Sequence, residues 1–231
     1  MTIRRESAAQ VIYRMLRDQI VQGTYSPFTR LRESELAMSL QVSRTPLREA
    51  LRHLEAEGFV ERLPTGGVMV AGIDPDDVRD FFSVRAVLEG HLVREVATRA
   101  TEFEVRDLYR LLERMKQLDE DPAEVIRVGL DFHDRLAQIA GNERTRQILC
   151  QIRRHLDRYW AVTTSDQPNR ARVVPAEHER IVDAIRDRDP ARAESAMQAH
   201  IWTGAVVCIE AARHEVERLG METNTGREEA G

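Results

Sequence analysis

Apolar positions recur at helical spacing along most of this chain, and the one interruption is short. Val11, Ile12, Met15, Leu16 and Ile20 share a face, which predicts a helix over residues 8–22 ended by Gly23. Leu36, Ala37 and Leu40 predict a second helix over 33–40. After a tight Gln-Val-Ser connection, Leu47, Ala50, Leu51 and Leu54 predict a third, over 44–57. Thr45 followed by Pro46 reads as its start, a hydroxyl acceptor at the N-cap and then proline where no N–H is needed, and Gly58 reads as its end. "FVERL" and "GVMVAG" then flank a Pro-Thr-Gly-Gly turn, the pattern of a small β-hairpin. Two short helices joined by three or four residues, the second polar at its start, form the helix-turn-helix plan, and the hairpin at 59–71 is its wing.

Beyond residue 74 no strand pattern remains. Asp74-Pro75, Asp121-Pro122 and Asp189-Pro190 each place a capping acceptor before a proline at the first helical position. "TEFE" and "DPAE" have capping-box spacing, Asn142 follows Gly141, and Pro175 reads as a further break. These signals divide 75–218 into about six helices. The predicted fold is mainly α: a winged helix-turn-helix of three helices plus a β-hairpin, then an antiparallel all-α bundle. The expected domains are 1–72 (DNA-binding), 73–217 (the helical bundle) and 218–231, a tail too poor in apolar residues to pack.

Composition changes the picture in one respect. The net charge of −5 argues against nucleic acid, yet residues 1–72 hold ten arginines against eight acidic residues, while the remainder is strongly acidic. Lys116 is the only lysine, so the arginine richness is not by itself a functional signal. No apolar run reaches membrane-spanning length and "MTIRRESAAQ" lacks a signal-peptide core, which makes a cytoplasmic location the expectation. Cys150 and Cys208 have no metal-ligand spacing and read as buried thiols.

Taken alone, the 44–57 helix could be a solvated surface helix laced by Arg48, Arg52 and nearby glutamates. Its neighbours favour a reading head, because helix N-termini attract phosphate and arginine can grip guanine edges bidentately. The stretch "LRESELAMSLQVSRTPLREALRHLEAEGFVERLPTGGVMV" resembles the winged helix-turn-helix of GntR-type bacterial transcription regulators. "VRAVLEGHLVREVA", "FHDRLAQIAGN" and "EHERIVDAI" are similar to the all-helical effector domain of the FadR (FCD) branch. The resemblance implies contacts to operator bases and phosphates from Ser43, Arg44, Thr45 and Arg48, and a helix-two contact at Ser34. The wing carries Gly66-Gly67 where this branch commonly has a basic pair, which leaves backbone contact at Gly67.

His133, His178 and His200 each fall on an apolar stripe of a different predicted helix. Singly, each reads as a satisfied core histidine. Together they form a natural set of imidazole ligands for zinc or a similar divalent metal. The resemblance places metal-binding histidines at about these spacings, with an Asp one turn before the first. Here that position is Gly129, and Asp131, two residues on, points to the far side of the helix. Arg85 lies on the stripe of Val78, Phe81, Leu88 and Leu92, either in an ion pair with Glu89 or, as the resemblance implies, facing an acidic effector beside the metal.

The function expected is a non-enzymatic, ligand-responsive regulator, a repressor in the leading form, that binds palindromic operator DNA as a homodimer and senses a small carboxylate. One alternative is a metal-free DNA-binding dimer with an apolar effector or none. Another is a three-histidine metal hydrolase with Glu177 as base. It lacks an HExxH motif and leaves the winged helix unexplained.

Overall fold

The computed structural model describes residues 7–118, 121–163, 168–218 and 220. They form two compact units: Met1–Asp74 with Arg154–Val162, and Pro75–Arg153 with Thr163–Gly231.

The first unit holds α1 (Ala8–Val21), β1 (Arg30–Leu31), α2 (Glu33–Ser39), α3 (Arg44–Ala56), β2 (Val60–Arg62) and β3 (Val68–Val70). Ser7 caps α1 in a reciprocal box with Gln10. The inward face of α1 is Ala9, Ile12, Leu16 and Ile20; Val11 and Met15, expected on it, are exposed because they flank the stripe. Ile12, Leu16 and Ile20 meet Leu36, Leu47, Leu51, Leu54, Phe59 and Val68 in one core. Burying each such side chain contributes roughly 1.5–3 kcal/mol. The hairpin gains a third strand that periodicity did not reveal. The antiparallel order is β1-β3-β2, with Leu31 opposite Val68 and Arg62 opposite the same residue from the other side.

The start of α3 corrects the expected cap. Ser43, not Thr45, is the N-cap residue, with extended backbone (φ −74°, ψ 156°). Thr45 is the second helical residue and Pro46 the third, still within the turn whose N–H groups have no helical acceptor. Ser43 makes no side-chain capping bond.

In the second unit, α4 (Pro75–Arg99), α5 (Glu102–Gln117), α6 (Pro122–Ala140), α8 (Pro168–Arg186) and α9 (Pro190–Arg218) pack around a core that includes Phe82, Leu112, Phe132 and Ile185. Helix α7 (Glu143–Thr163) is shared, its residues 154–162 belonging to the first unit. The capping signals hold at Thr101–Glu104, Asp121 and Asp189, whose side chain accepts from Arg192 N at 3.0 Å. Pro175 does not break a helix as expected: it lies buried inside α8. There it removes one N–H donor from the helix ladder, and the helix runs on through it. Most of the expected tail 218–231 lies outside the described residues; Arg218 itself ends α9. No helix among the described residues is long and apolar enough to cross a membrane.

Candidate nucleic-acid interface and metal centre

The N-terminal end of α3, the start of α2 and the hairpin tip line a groove of about 520 Å³. It gathers Arg30, Arg32, Arg44, Arg48 and Arg62 around Glu33, with Ser34, Gly66 and Gly67 on its walls. The lining sets five guanidiniums against one carboxylate, with Glu35 and Glu55 pairing with Arg32 and Arg62 beside it, which leaves a net positive surface next to the first turn of α3. Arg48 donates to Glu33 from Nε at 2.7 Å, and Arg62 pairs with Glu55 at 3.0 Å. Arg44 has no carboxylate within ion-pair distance among the described residues. Ser34, Ser43, Arg44, Thr45 and Arg48 are all exposed, as a reading surface requires. Arg30, Arg32 and Arg62 were not among the residues expected here. The strand that brings Arg30 in is only two residues long, and pairing with β3 alone places it.

The three histidines meet inside the second unit. His133 on α6, His178 on α8 and His200 on α9 are buried, and their ligand nitrogens all lie within 4.8 Å of one another. His200 Nε2 is 3.2 Å from both His133 Nε2 and His178 Nε2. Every Nδ1 is engaged elsewhere. His133 Nδ1 meets a carboxylate oxygen of Glu89, His200 Nδ1 lies 2.7 Å from Glu177 Oε2, and His178 Nδ1 lies 3.3 Å from Met115 Sδ. Carboxylate and thioether only accept, which favours protons on Nδ1 and unprotonated Nε2 atoms, while Arg170 Nη2, a donor, also lies 3.4 Å from His200 Nδ1. Bare lone pairs repel unless a cation sits among them. Ligands about 2.0–2.1 Å from a tetrahedral zinc are about 3.3–3.4 Å apart, close to the observed 3.2 Å spacing. The group could therefore hold a metal.

The surroundings reinforce this. Glu89, buried on α4, accepts from Arg85 Nε at 2.9 Å through its other oxygen, and Arg85 lies over the Phe82 ring. Arg85 is thus in the ion pair with Glu89, and that pair sits against His133. Arg170, also buried, donates to Glu177 at 2.7 Å behind His200. Phe132 stacks on His178 with ring centroids 4.4 Å apart. Burial pushes the His178 imidazole well below its usual range, with His200, His133 and Arg170 adding to it. Burial likewise lowers His200 to about 4, although Glu177 pulls the other way. Both are thereby kept neutral, the form a metal ligand must have. Burial alone would raise the Glu89 carboxyl, yet His133 and Arg85 outweigh it and hold it ionised well below the carboxylate range. Beside Gly129 there is room: an added Cβ would lie 3.4 Å from His178 Cε1 and 4.0 Å from Val174 Cγ1. Asp131 is exposed and paired with Arg127 at 3.1 Å, so it takes no part.

Sequence reasoning considered Glu89 only as a partner for Arg85, Glu177 only as a hydrolase base, and Arg170 not at all. The one available signal was an Arg–Glu pair four residues apart on an inward stripe.

A winged helix-turn-helix with an arginine-lined groove, joined in one chain to a helical bundle that buries a histidine cluster, is the plan of a DNA-binding regulator. Comparison with known proteins makes the class specific. Residues 8–70 match the gntR family of bacterial regulatory proteins, and residues 80–202 match the FCD domain. The chain is 27% identical to the uncharacterized HTH-type transcriptional regulator YdhC of Bacillus subtilis, over 94% of this chain and 92% of that one. It is 29% identical to the HTH-type transcriptional repressor RspR of Escherichia coli, over 83% and 85% of the two chains. The structure of E. coli McbR/YncC superimposes with a TM-score of 0.72 at 19% identity, covering 89% of this chain and 98% of that one. The chain belongs to the GntR family of bacterial transcription regulators and carries an FCD domain. It is a DNA-binding transcriptional regulator, in a family of regulators rather than enzymes.

Proposed function

We propose that the protein is a ligand-responsive repressor in which residues 1–72 read operator DNA and residues 73–217 bind a divalent metal, a small carboxylate effector and a second copy of the chain. The observation that carries the sensing half is the convergence of three histidine Nε2 atoms, with a carboxylate or a thioether facing each Nδ1. His133, His178 and His200 would hold the metal, with zinc best suited to an all-imidazole set. When bound, the metal supplies a compact positive charge able to attract an anion. Glu89 and Glu177 orient and hold the ring protons of His133 and His200, and Arg85 and Arg170 balance those carboxylates. The effector carboxylate is assigned to Arg85, whose guanidinium would exchange part of its bond to Glu89 for the ligand.

At the reading head, Ser43, Arg44, Thr45 and Arg48 are assigned to bases and phosphates at the start of α3, Ser34 to a phosphate from α2, and Gly67 to a backbone contact from the wing. A homodimer would present two such heads to a palindromic site. Effector binding would act by favouring one orientation of the heads over another. The name of RspR, a repressor, supports that sign of regulation.

The test is metal analysis of the full-length protein purified without chelator, followed by zinc titration after dialysis against EDTA. One equivalent of metal per chain, lost in His133→Ala and His200→Ala, supports the reading. No metal in the purified chain and no zinc binding after dialysis sink it and leave the metal-free regulator.

A further inference from the structure

The wing tip, Pro64-Thr65-Gly66-Gly67, has no basic side chain of its own. We propose that Arg30, carried on β1 beside it, is the cation through which the wing grips DNA next to the half-site read by α3. The inference rests on the DNA-binding role of the head and extends it to a residue outside both the helix-turn-helix and the hairpin.

Geometry brings Arg30 to the tip. Gly66 and Gly67 have φ of +87° and +81°, and a Cβ on Gly67 would lie 2.7 Å from the Leu31 carbonyl oxygen. The turn therefore lies flush on β1, in a conformation and at a spacing open only to glycine. Arg30, opposite Met69 in the ladder, then reaches the tip: its Nη2 lies 2.8 Å from Thr65 Oγ1 and 3.4 Å from the Gly66 carbonyl oxygen.

Charge separates this arginine from its neighbours. Arg32 pairs with Glu35 at 3.1 Å, Arg48 with Glu33 at 2.7 Å and Arg62 with Glu55 at 3.0 Å. Arg30 is exposed, its partners are neutral oxygens, and among the described residues no carboxylate lies within ion-pair distance of it. Its charge is therefore not committed to a carboxylate and is open to a phosphate. Nη2 alone holds the tip, so Nη1 and Nε remain as donors toward the groove that Arg30 shares with Arg44 and Arg48. With the start of α3 in the major groove, the adjoining wing meets the flanking minor groove and its phosphate walls, where arginine is the favoured side chain.

The experiment uses the full chain and a duplex selected with it from a random pool. Affinity is measured between 50 and 200 mM salt, with hydroxyl-radical and guanine-N7 footprints. Arg30→Ala should weaken binding about 5–20-fold at low salt and reduce the slope of log K against log salt by about one. Protection of the flank should disappear, while guanine-N7 protection in the major groove stays. Arg30→Gln, which keeps donors but not charge, should behave the same and covers any folding defect in the alanine variant. Thr65→Ala, which loosens the tether and keeps the charge, should cost less and leave the slope intact. Exchanging flanking A·T for G·C pairs assigns the contact to the groove floor if wild-type affinity falls, and to phosphates if it does not. Wild-type affinity, slope and flank protection in Arg30→Gln would overturn the proposal. So would a slope change in Thr65→Ala equal to that of the charge variants. If Arg44→Ala also binds as wild type, or selection enriches no duplex, the DNA reading of the head fails as well.

Discussion

Glu89 and His133, 44 residues apart in sequence, are joined in the core of the helical unit. One carboxylate oxygen of Glu89 meets His133 Nδ1 while the other accepts a hydrogen bond from Arg85 Nε. This single residue both selects the histidine tautomer and neutralises the buried arginine. Glu89→Gln should then do two things at once. Leaving Arg85 an uncompensated buried cation should destabilise the fold by about 3–5 kcal/mol. Loss of the carboxylate behind His133 should weaken zinc binding by about 10–100-fold. Denaturant unfolding and zinc competition against a chromophoric chelator measure the two effects. Zinc affinity equal to wild type in a folded variant would separate Glu89 from the metal.

Acid should weaken the metal-free chain in a defined window. His200 titrates near 4 in the folded protein, below the ordinary value of 6.5, and His178 is displaced the same way. Between those values the unfolded chain binds more protons than the folded one, so stability rises with pH. It is fully present above about pH 6.5 and is lost as pH falls toward 4, by on the order of 3 kcal/mol from His200 alone. Glu89 and Glu177, whose carboxyls are held low, add to the loss at the acid end. Urea midpoints of EDTA-treated protein at pH 7, 5.5 and 4.5 check this; a flat series contradicts it.

Space beside Gly129 makes a gain of metal affinity testable. The added Cβ of Gly129→Asp meets only ordinary contacts, at 3.4 and 4.0 Å, and the carboxylate would project beside His178. A fourth protein ligand should tighten zinc binding by at least about tenfold. It should also blunt any response to a carboxylate effector, by occupying a position that effector would use. Unchanged zinc affinity in a well-folded Gly129→Asp protein would count against the three-histidine centre.

At the reading head, Arg44→Ala and Arg48→Ala should each weaken binding to the selected duplex by about 1–3 kcal/mol. Arg44 should cost more, since Arg48 must first give up Glu33. Glu33→Gln should accordingly raise DNA affinity, by removing both a competitor and a negative charge from the groove. Mobility shifts with the four proteins at one salt concentration decide the ranking.

The capping prediction differs from what Thr45-Pro46 suggested. Neither Ser43 nor Thr45 closes a capping bond on α3, so Ser43→Ala and Thr45→Ala should each cost less than about 0.5 kcal/mol of stability, below the usual loss of a cap. DNA affinity should fall in both, because both hydroxyls are exposed beside Arg44 at the start of α3. Thermal unfolding alongside DNA titration separates the two readouts.

Helix periodicity, the Asp-Pro starts, the capping box at Thr101 and the spacing of the turn glycines are local properties, governed by a few bonds of backbone, and the sequence by itself determined them. The same reasoning placed His133, His178 and His200 on inward stripes, since a stripe needs only the 3.6-residue repeat. Tertiary structure alone decided which atoms meet. Glu89 and Glu177 read as ordinary charged helix residues until packing of α4 against α6, and of α8 against α9, turned each onto a histidine. Ser43 and Thr45 both offer a capping hydroxyl, and the choice fell to the backbone angle at which the turn enters α3. Arg30 lies 35 residues from Thr65, on a strand too short to show alternation, and its place at the wing depends on a glycine that lets two backbones touch. Contacts between distant segments depend on shape and burial summed over the whole core, and no local pattern carries that information.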